Sequence, residues 1–136
     1  MWDTIEGFDD ITHFLADVSF FHDSCIKQLT YVSGSYVLPD LSMNAANDLR
    51  KLNVVIQRQC ATMTTIELEF SGLIKLNLEP KDPKHYTSEI LGITMYSDGD
   101  YIVLSDLEST KADNKQYDGF YVCAECVRWR ILSDDT

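Results

Sequence analysis

A chain of 136 residues with 45% hydrophobic content suffices for one compact domain, because at this size roughly two-thirds of the unfolded surface is buried without a covalent staple. Against 22 Asp and Glu stand only 11 Lys and Arg, a net charge of −11 with no basic cluster longer than a pair. A nucleic-acid binder must replace counterions along a row of phosphates, and an anionic membrane repels the same sign, so both partners are disfavoured while a basic protein partner fits the field.

The four cysteines, Cys25, Cys60, Cys123 and Cys126, are too few for a disulfide scaffold at this length. With no basic-plus-apolar leader and no long apolar run, a reduced cytoplasmic protein is expected, one domain over residues 1–136 with no cofactor. The acidity is uneven: Asp3, Glu6, Asp9, Asp10, Asp17 and Asp23 all precede Lys27, the first basic side chain.

The first predicted element is a short helix within residues 1–18. Asp9 or Asp10 is placed to cap it, Gly7 argues against an earlier start, and Ile11, Phe14, Leu15 and Val18 recur on one face. An aromatic and polar junction follows, Ser19 to Ser24. From Cys25 to Val37 the chain is rich in Val, Tyr, Ile and Thr and reads as a long strand or hairpin, with Gly34 as a bend. Leu38 to Asp48 reads as a loop.

The strand from about Arg50 to Cys60 alternates Leu52, Val54 and Ile56 with polar neighbours. Ile66, Leu68 and Phe70 repeat the rhythm, as do Ile74, Leu76 and Leu78. Between those last two rows, at Ser71-Gly72-Leu73, either a three-residue hairpin loop or one strand kinked at Gly72 keeps both rows on one face. Glu79 to Ser88 is a loop. Ile90 to Ser97 and Asp100 to Leu107 form a hairpin around Asp98-Gly99, a pair favoured in type I′ turns. That register sets Met95 against Ile102, Ile93 against Leu104 and Tyr96 against Tyr101. Glu108 to Asp118 is polar, and Phe120 to Leu132 is a central strand. The fold expected is mainly β, an antiparallel β-sandwich or strongly bent sheet of about six to eight strands over 24–132, with the N-terminal helix packed on it.

Few constellations point to chemistry. Cys123-Ala124-Glu125-Cys126 has the spacing of zinc and redox motifs, but inside a strand positions three apart point to opposite faces, and no second pair accompanies it. Buried small hydrophobes are the simpler reading, and no metal site is expected. Phe21-His22-Asp23-Ser24 holds a base, a carboxylate and a hydroxyl, yet adjacent side chains diverge and cannot act as a triad. His22 with a remote carboxylate, or Asp23 capping the turn, are the roles open there. Arg58 and Glu125 each sit on a largely apolar row, so parity suggests an ion pair or a polar spot in a pocket. Asp98-Gly99-Asp100 lacks the rest of a calcium loop. Glu67 and Glu69 share a strand face and, with Lys75 near, read as a solvated surface.

The strings Phe21-His22-Asp23-Ser24-Cys25-Ile26, Glu67 to Leu73 and Cys123 to Trp129 resemble those of small uncharacterised bacterial all-β proteins. The aromatic-His-Asp start to the first strand is similar to that of some immunity proteins of toxin–immunity systems. The resemblance implies a cytoplasmic, non-enzymatic binder and carries no catalytic residues. The expected function is a protein-binding module that meets a basic partner through Asp9, Asp10 and Asp17 or through a sheet face bearing Tyr96 and Tyr101. The alternative is a small-ligand or hydrolytic pocket built from His22, Arg58 and Glu125. A third expectation is a homodimer through a sheet edge.

Overall fold

A computed structural model describes residues 1–45, 49–78, 90, 91, 93–106 and 120–133, and only the backbone of Ile90, Leu91 and Asp106. In chain order the elements are β1 (Asp3–Ile5), α1 (Gly7–Asp17), a 3-10 turn (Ser19–Phe21), β2 (Ser24–Val32), β3 (Tyr36–Val37), β4 (Met43–Asn44), β5 (Lys51–Arg58), β6 (Thr65–Asn77), β7 (Ile90–Leu91), β8 (Ile93–Asp98), β9 (Tyr101–Asp106) and β10 (Tyr121–Ser133). The expected loops 79–88 and 108–118 lie outside the described residues.

The alternating rows form the sheet they predict. In β5 Leu52, Val54 and Ile56 are fully buried, and Ile66, Leu68 and Phe70 of β6 face them across an antiparallel ladder. Eight strands form the main sheet in the order β7-β2-β5-β6-β10-β9-β8, and β1 pairs β10 beside β9. β7 and β8 are separated by one residue, yet β7 pairs β2 at one end of this path and β8 pairs β9 at the other. One stretch of chain therefore supplies both ends, so the sheet is strongly bent and curls almost onto itself. β10 is central, as its apolar character predicts, with β6 on one side and β9 and β1 on the other. α1 packs against β8 and sends Ile11, Phe14 and Leu15 into the core, where the Phe14 ring lies 5.0 Å from that of Trp129 and 5.7 Å from that of Phe21.

Several local expectations are corrected. The helix begins at Gly7, not at Asp9 or Asp10: Glu6 is the cap residue, and Gly7 takes φ +84°, open to glycine at little cost. Asp10 instead reaches back, its Oδ2 accepting the Glu6 N–H at 2.8 Å. The long strand from Cys25 ends at Val32, and the chain then makes a separate two-stranded ladder in which Tyr36 opposes Asn44 and Val37 opposes Met43. Residues 65–77 are one strand kinked at Gly72 (φ +63°), and the inward row is broken at the kink but resumes at Leu76 and Leu78, which pack against the core. Leu73 turns inward and Ile74, the extra residue of a bulge against β10, is 51% exposed.

The hairpin register is shifted by two. Met95 opposes Leu104, Tyr96 opposes Val103 and Asp98 opposes Tyr101, so the turn residues are Gly99 and Asp100. Gly99 has φ +63° and Asp100 is not left-handed, which fits a type II′ turn with glycine first. A slip of two leaves every side chain on its expected face, which explains why alternation alone could not detect it.

Candidate functional site

The residues singled out from sequence fall in three separate places. His22 and Asp23 are exposed at the junction into β2, where the Asp23 carbonyl accepts the Gln59 N–H at 2.9 Å and the Ser24 hydroxyl donates to the His22 carbonyl at 3.2 Å. Arg58 is 8% exposed at the end of β5. Its Nη1 donates to the carbonyls of Thr62 and Met63 at 3.3 and 3.2 Å, closing the turn into β6, while its buried Nε has no partner. Glu125 lies exposed on β10 at the level of Gly72.

The parity argument that joined Arg58 to Glu125 fails on distance. Arg58 stands beyond the Gln57–Thr65 pair of the β5–β6 ladder, while Gly72 lies beyond the Lys51–Ser71 pair at the other end. Along a strand that is roughly 20 Å. The arginine of the same row nearest Glu125 is Arg50, whose carbonyl accepts the Gly72 N–H at 3.1 Å. Gly72 lies between the two chains that carry them, and a Cβ there would collide with the Glu125 carboxylate, whose Cδ is 2.9 Å away. His22, Arg58 and Glu125 do not line a common pocket.

What the structure does bring together is α1 and the β8–β9 hairpin. Phe8, Ile11 and Leu15 recur at i, i+3 and i+7 along one stripe of α1. With Thr12, Phe20, Met95, Tyr96 and Ser97 they line a groove of about 440 Å³. Phe8 is 77% exposed at its rim. Phe20 is held there by an uncommon backbone: Ser19, Phe20 and Phe21 have φ of 53°, 54° and 55°, and Asp23 has 55°. Left-handed L-residues cost about 1–2 kcal/mol each. The full burial of Val18 and Phe21 on either side opposes that cost, and the result is an aromatic ring turned outward beside the helix.

The acidic residues divide around this groove. Asp98 precedes the hairpin tip and Asp100 lies in it, just past Ser97 of the groove. At 100° per residue, the exposed Asp9, Asp10 and Asp17 fall within about 100° of arc, on the side of α1 turned away from this groove. Tyr96 and Tyr101 are both exposed but do not face each other; Tyr101 is a diagonal neighbour, opposite Asp98.

A second cluster was missed. On the outer face of the central strands Arg128 Nε donates to Glu69 Oε1 at 2.8 Å, and Arg130 Nε donates to Glu67 Oε1 at 2.7 Å. Asn53 Nδ2 donates to both carboxylates, at 3.1 and 3.3 Å. Both guanidiniums lie 4.3 Å from the centre of the Trp2 ring, which ties β1 down. Glu67 and Glu69 are thus bound to arginines and an asparagine rather than solvated beside Lys75. Burial pushes the Glu69 carboxyl upward, but the Arg128 and Asn53 hydrogen bonds and the charges of Arg128 and Lys51 outweigh it and hold it below its ordinary value. The visible signal was Glu67 and Glu69 matched by Arg128 and Arg130 at the same period of two.

The cysteines are corrected too. Val122 and Ala124 face the core and so does Val127, so the inward row changes parity across the exposed Glu125 and Cys126. Neither Cys123, half-buried, nor Cys126 is a core residue, and all four thiols are free. Burial and the nearby Asp98 charge raise the Cys123 thiol. The exposed Cys60 thiol is lowered by the Thr62 backbone and hydroxyl and by the Arg58 charge, against a small opposing effect of desolvation. Among the described residues no three His, Cys, Asp or Glu side chains are grouped to hold a metal ion, and no helix is long and apolar enough to cross a membrane. No protein-family model, curated protein or solved structure matches the chain.

Proposed function

We propose that the chain is a non-catalytic protein-binding module that takes a basic protein segment in the groove between α1 and β8. The observation that carries this reading is the left-handed turn at Ser19–Phe21, which places Phe20 at the rim of an apolar groove already edged by the exposed Phe8. The turn that buries Phe21 also holds the Phe20 ring half-exposed, and strained backbone that keeps an aromatic ring toward water points to a use for that ring. Asp98 and Asp100 beside the groove, and the net charge of −11, favour apolar anchors flanked by Lys or Arg in the partner. The cytoplasmic, immunity-type role implied by the sequence resemblance is consistent with such a surface, since a basic toxin would be steered to it.

The test uses an amphipathic peptide alternating Leu and Lys, with its Leu–Glu counterpart as control, titrated by calorimetry. The Lys peptide should bind and the Glu peptide should not. Phe8→Ser together with Phe20→Ser should weaken binding about tenfold or more, as removal of aromatic anchors does. Charge reversal at Asp98 and Asp100 should chiefly slow association at low salt. Affinity unchanged by the double aromatic substitution would sink the groove as the binding surface.

A further inference from the structure

We propose that the β3–β4 arm is a contact between two copies of this chain. The arm stands apart from the main sheet as a ladder of two residue pairs, and among the described residues both of its faces are open. Tyr31, Val32, Tyr36, Val37, Leu41 and Met43 are each about half exposed or more, Met43 at 70% and Leu41 at 83%. The tip is specifically shaped. Leu38 N–H donates to the Ser42 carbonyl and Leu41 N–H to the Leu38 carbonyl, both at 2.8 Å, and Leu41 takes φ +71°. A bulky leucine in left-handed backbone at the outermost point of a hairpin marks a use for that side chain.

Charge and self-complementarity select a second copy as the occupant. Between Lys27 and Asp48 the chain carries one charged side chain, Asp40, whose carboxylate is taken up by the Ser42 backbone N–H at 2.9 Å and hydroxyl at 2.6 Å. A basic partner gains nothing from so neutral a surface, and a different acidic protein would meet the field of the −11 body without a matching contact. Another copy brings an equally neutral, equally apolar arm and an identical free strand edge, the self-complementarity that a twofold contact requires. Val37 and Met43 share one face of the ladder and Leu41 extends it at the tip, an apolar patch that the same patch of a second copy can cover. A ladder this short is also marginal alone in water, and mutual cover supplies what it lacks.

The test is sedimentation velocity on the full chain from low to several hundred micromolar, at low and high salt. A reversible dimer is expected, tighter at high salt because two acidic bodies repel less when screened. Leu41→Asp and, separately, Met43→Asp should raise its dissociation constant about tenfold or more, with the thermal melt by circular dichroism unchanged because both residues are exposed. A monomer at every concentration overturns the proposal, as does a dimer that salt weakens or that neither arm substitution affects. The groove reading stands or falls separately, on the peptide titration.

Discussion

Two outer surfaces of this molecule treat exposed side chains in opposite ways. On the outer face of β5, β6 and β10, charged and polar groups satisfy one another: Asn53 bridges two glutamates, each glutamate holds an arginine, and both arginines share the Trp2 ring. On the β3–β4 arm, apolar groups are presented and nothing among the described residues covers them. The first surface is complete within the chain and reads as a fastening of the N-terminus to the sheet. The second is incomplete and reads as a place for another molecule. Substitutions on the first should therefore change stability, and on the second, association.

The largest effect is expected where the fastened surface meets the kink. Gly72→Ala puts a side chain at φ +63° and drives it into the Glu125 carboxylate. Strain of that kind costs about 1–3 kcal/mol and overpacking a similar amount, so a loss of roughly 3 kcal/mol is expected in urea denaturation. Adding Glu125→Ala should recover part of it, the clash but not the backbone strain. Full recovery would mean that the left-handed conformation costs nothing there.

Glu69→Ala comes next. It leaves Arg128 without its carboxylate and takes one acceptor from Asn53. A charged hydrogen bond is worth about 1.5–3 kcal/mol, discounted because the Arg128 side chain is 41% exposed, so about 1–2 kcal/mol is expected. The pH dependence has a definite sign. A carboxyl held below its usual 4.5 stabilises the fold fully above that value and loses the contribution as pH falls through its folded-state value. The wild-type chain should lose stability on acidification below about pH 5, and Glu69→Gln should flatten that part of the curve.

What could be read from sequence follows the same division. The rows of β5, β6 and β10 were legible because several residues at period two leave little choice of face, and the helix was legible from Ile11, Phe14, Leu15 and Val18. β1 and the β3–β4 ladder have three and two residues per strand, too few for any period to show. β1 is held by Trp2 on two arginines more than 120 residues away, and no local pattern encodes that contact. Parity also misled where the backbone breaks it: the kink at Gly72 turned Ile74 outward, and the matching change on β10 moved Cys123 and Cys126 off the core. The Arg58–Glu125 pairing failed because parity says which face a residue takes, never how far along the strand it lies. The groove joins two sets of residues named separately, Ile11 and Leu15 on the helix and Tyr96 on the hairpin, and only the packing of α1 on β8 could unite them.

A smaller effect is expected among the thiols. Alkylation followed by mass spectrometry should label Cys60 first, because it is exposed and its thiol is lowered by Thr62 and Arg58. Cys123 should be labelled last, since burial and Asp98 keep it protonated. Equal rates at the two sites would count against the environments described for them.

The smallest effect sharpens the comparison most. Leu41→Ser at the arm tip removes a side chain that is 83% exposed and meets no core residue. The stability of a dilute, monomeric sample should change by less than about 0.5 kcal/mol, as at surface positions generally. Substituting serine also eases the left-handed backbone at this position, because a smaller side chain crowds it less. Trp2→Ala, on the fastened surface, is the counterpart: it removes the ring beneath two guanidiniums and should cost about 1–2 kcal/mol. If the two substitutions prove equally costly in the monomer, then the arm tip packs on its own chain in solution, and the division between a completed surface and an open one fails.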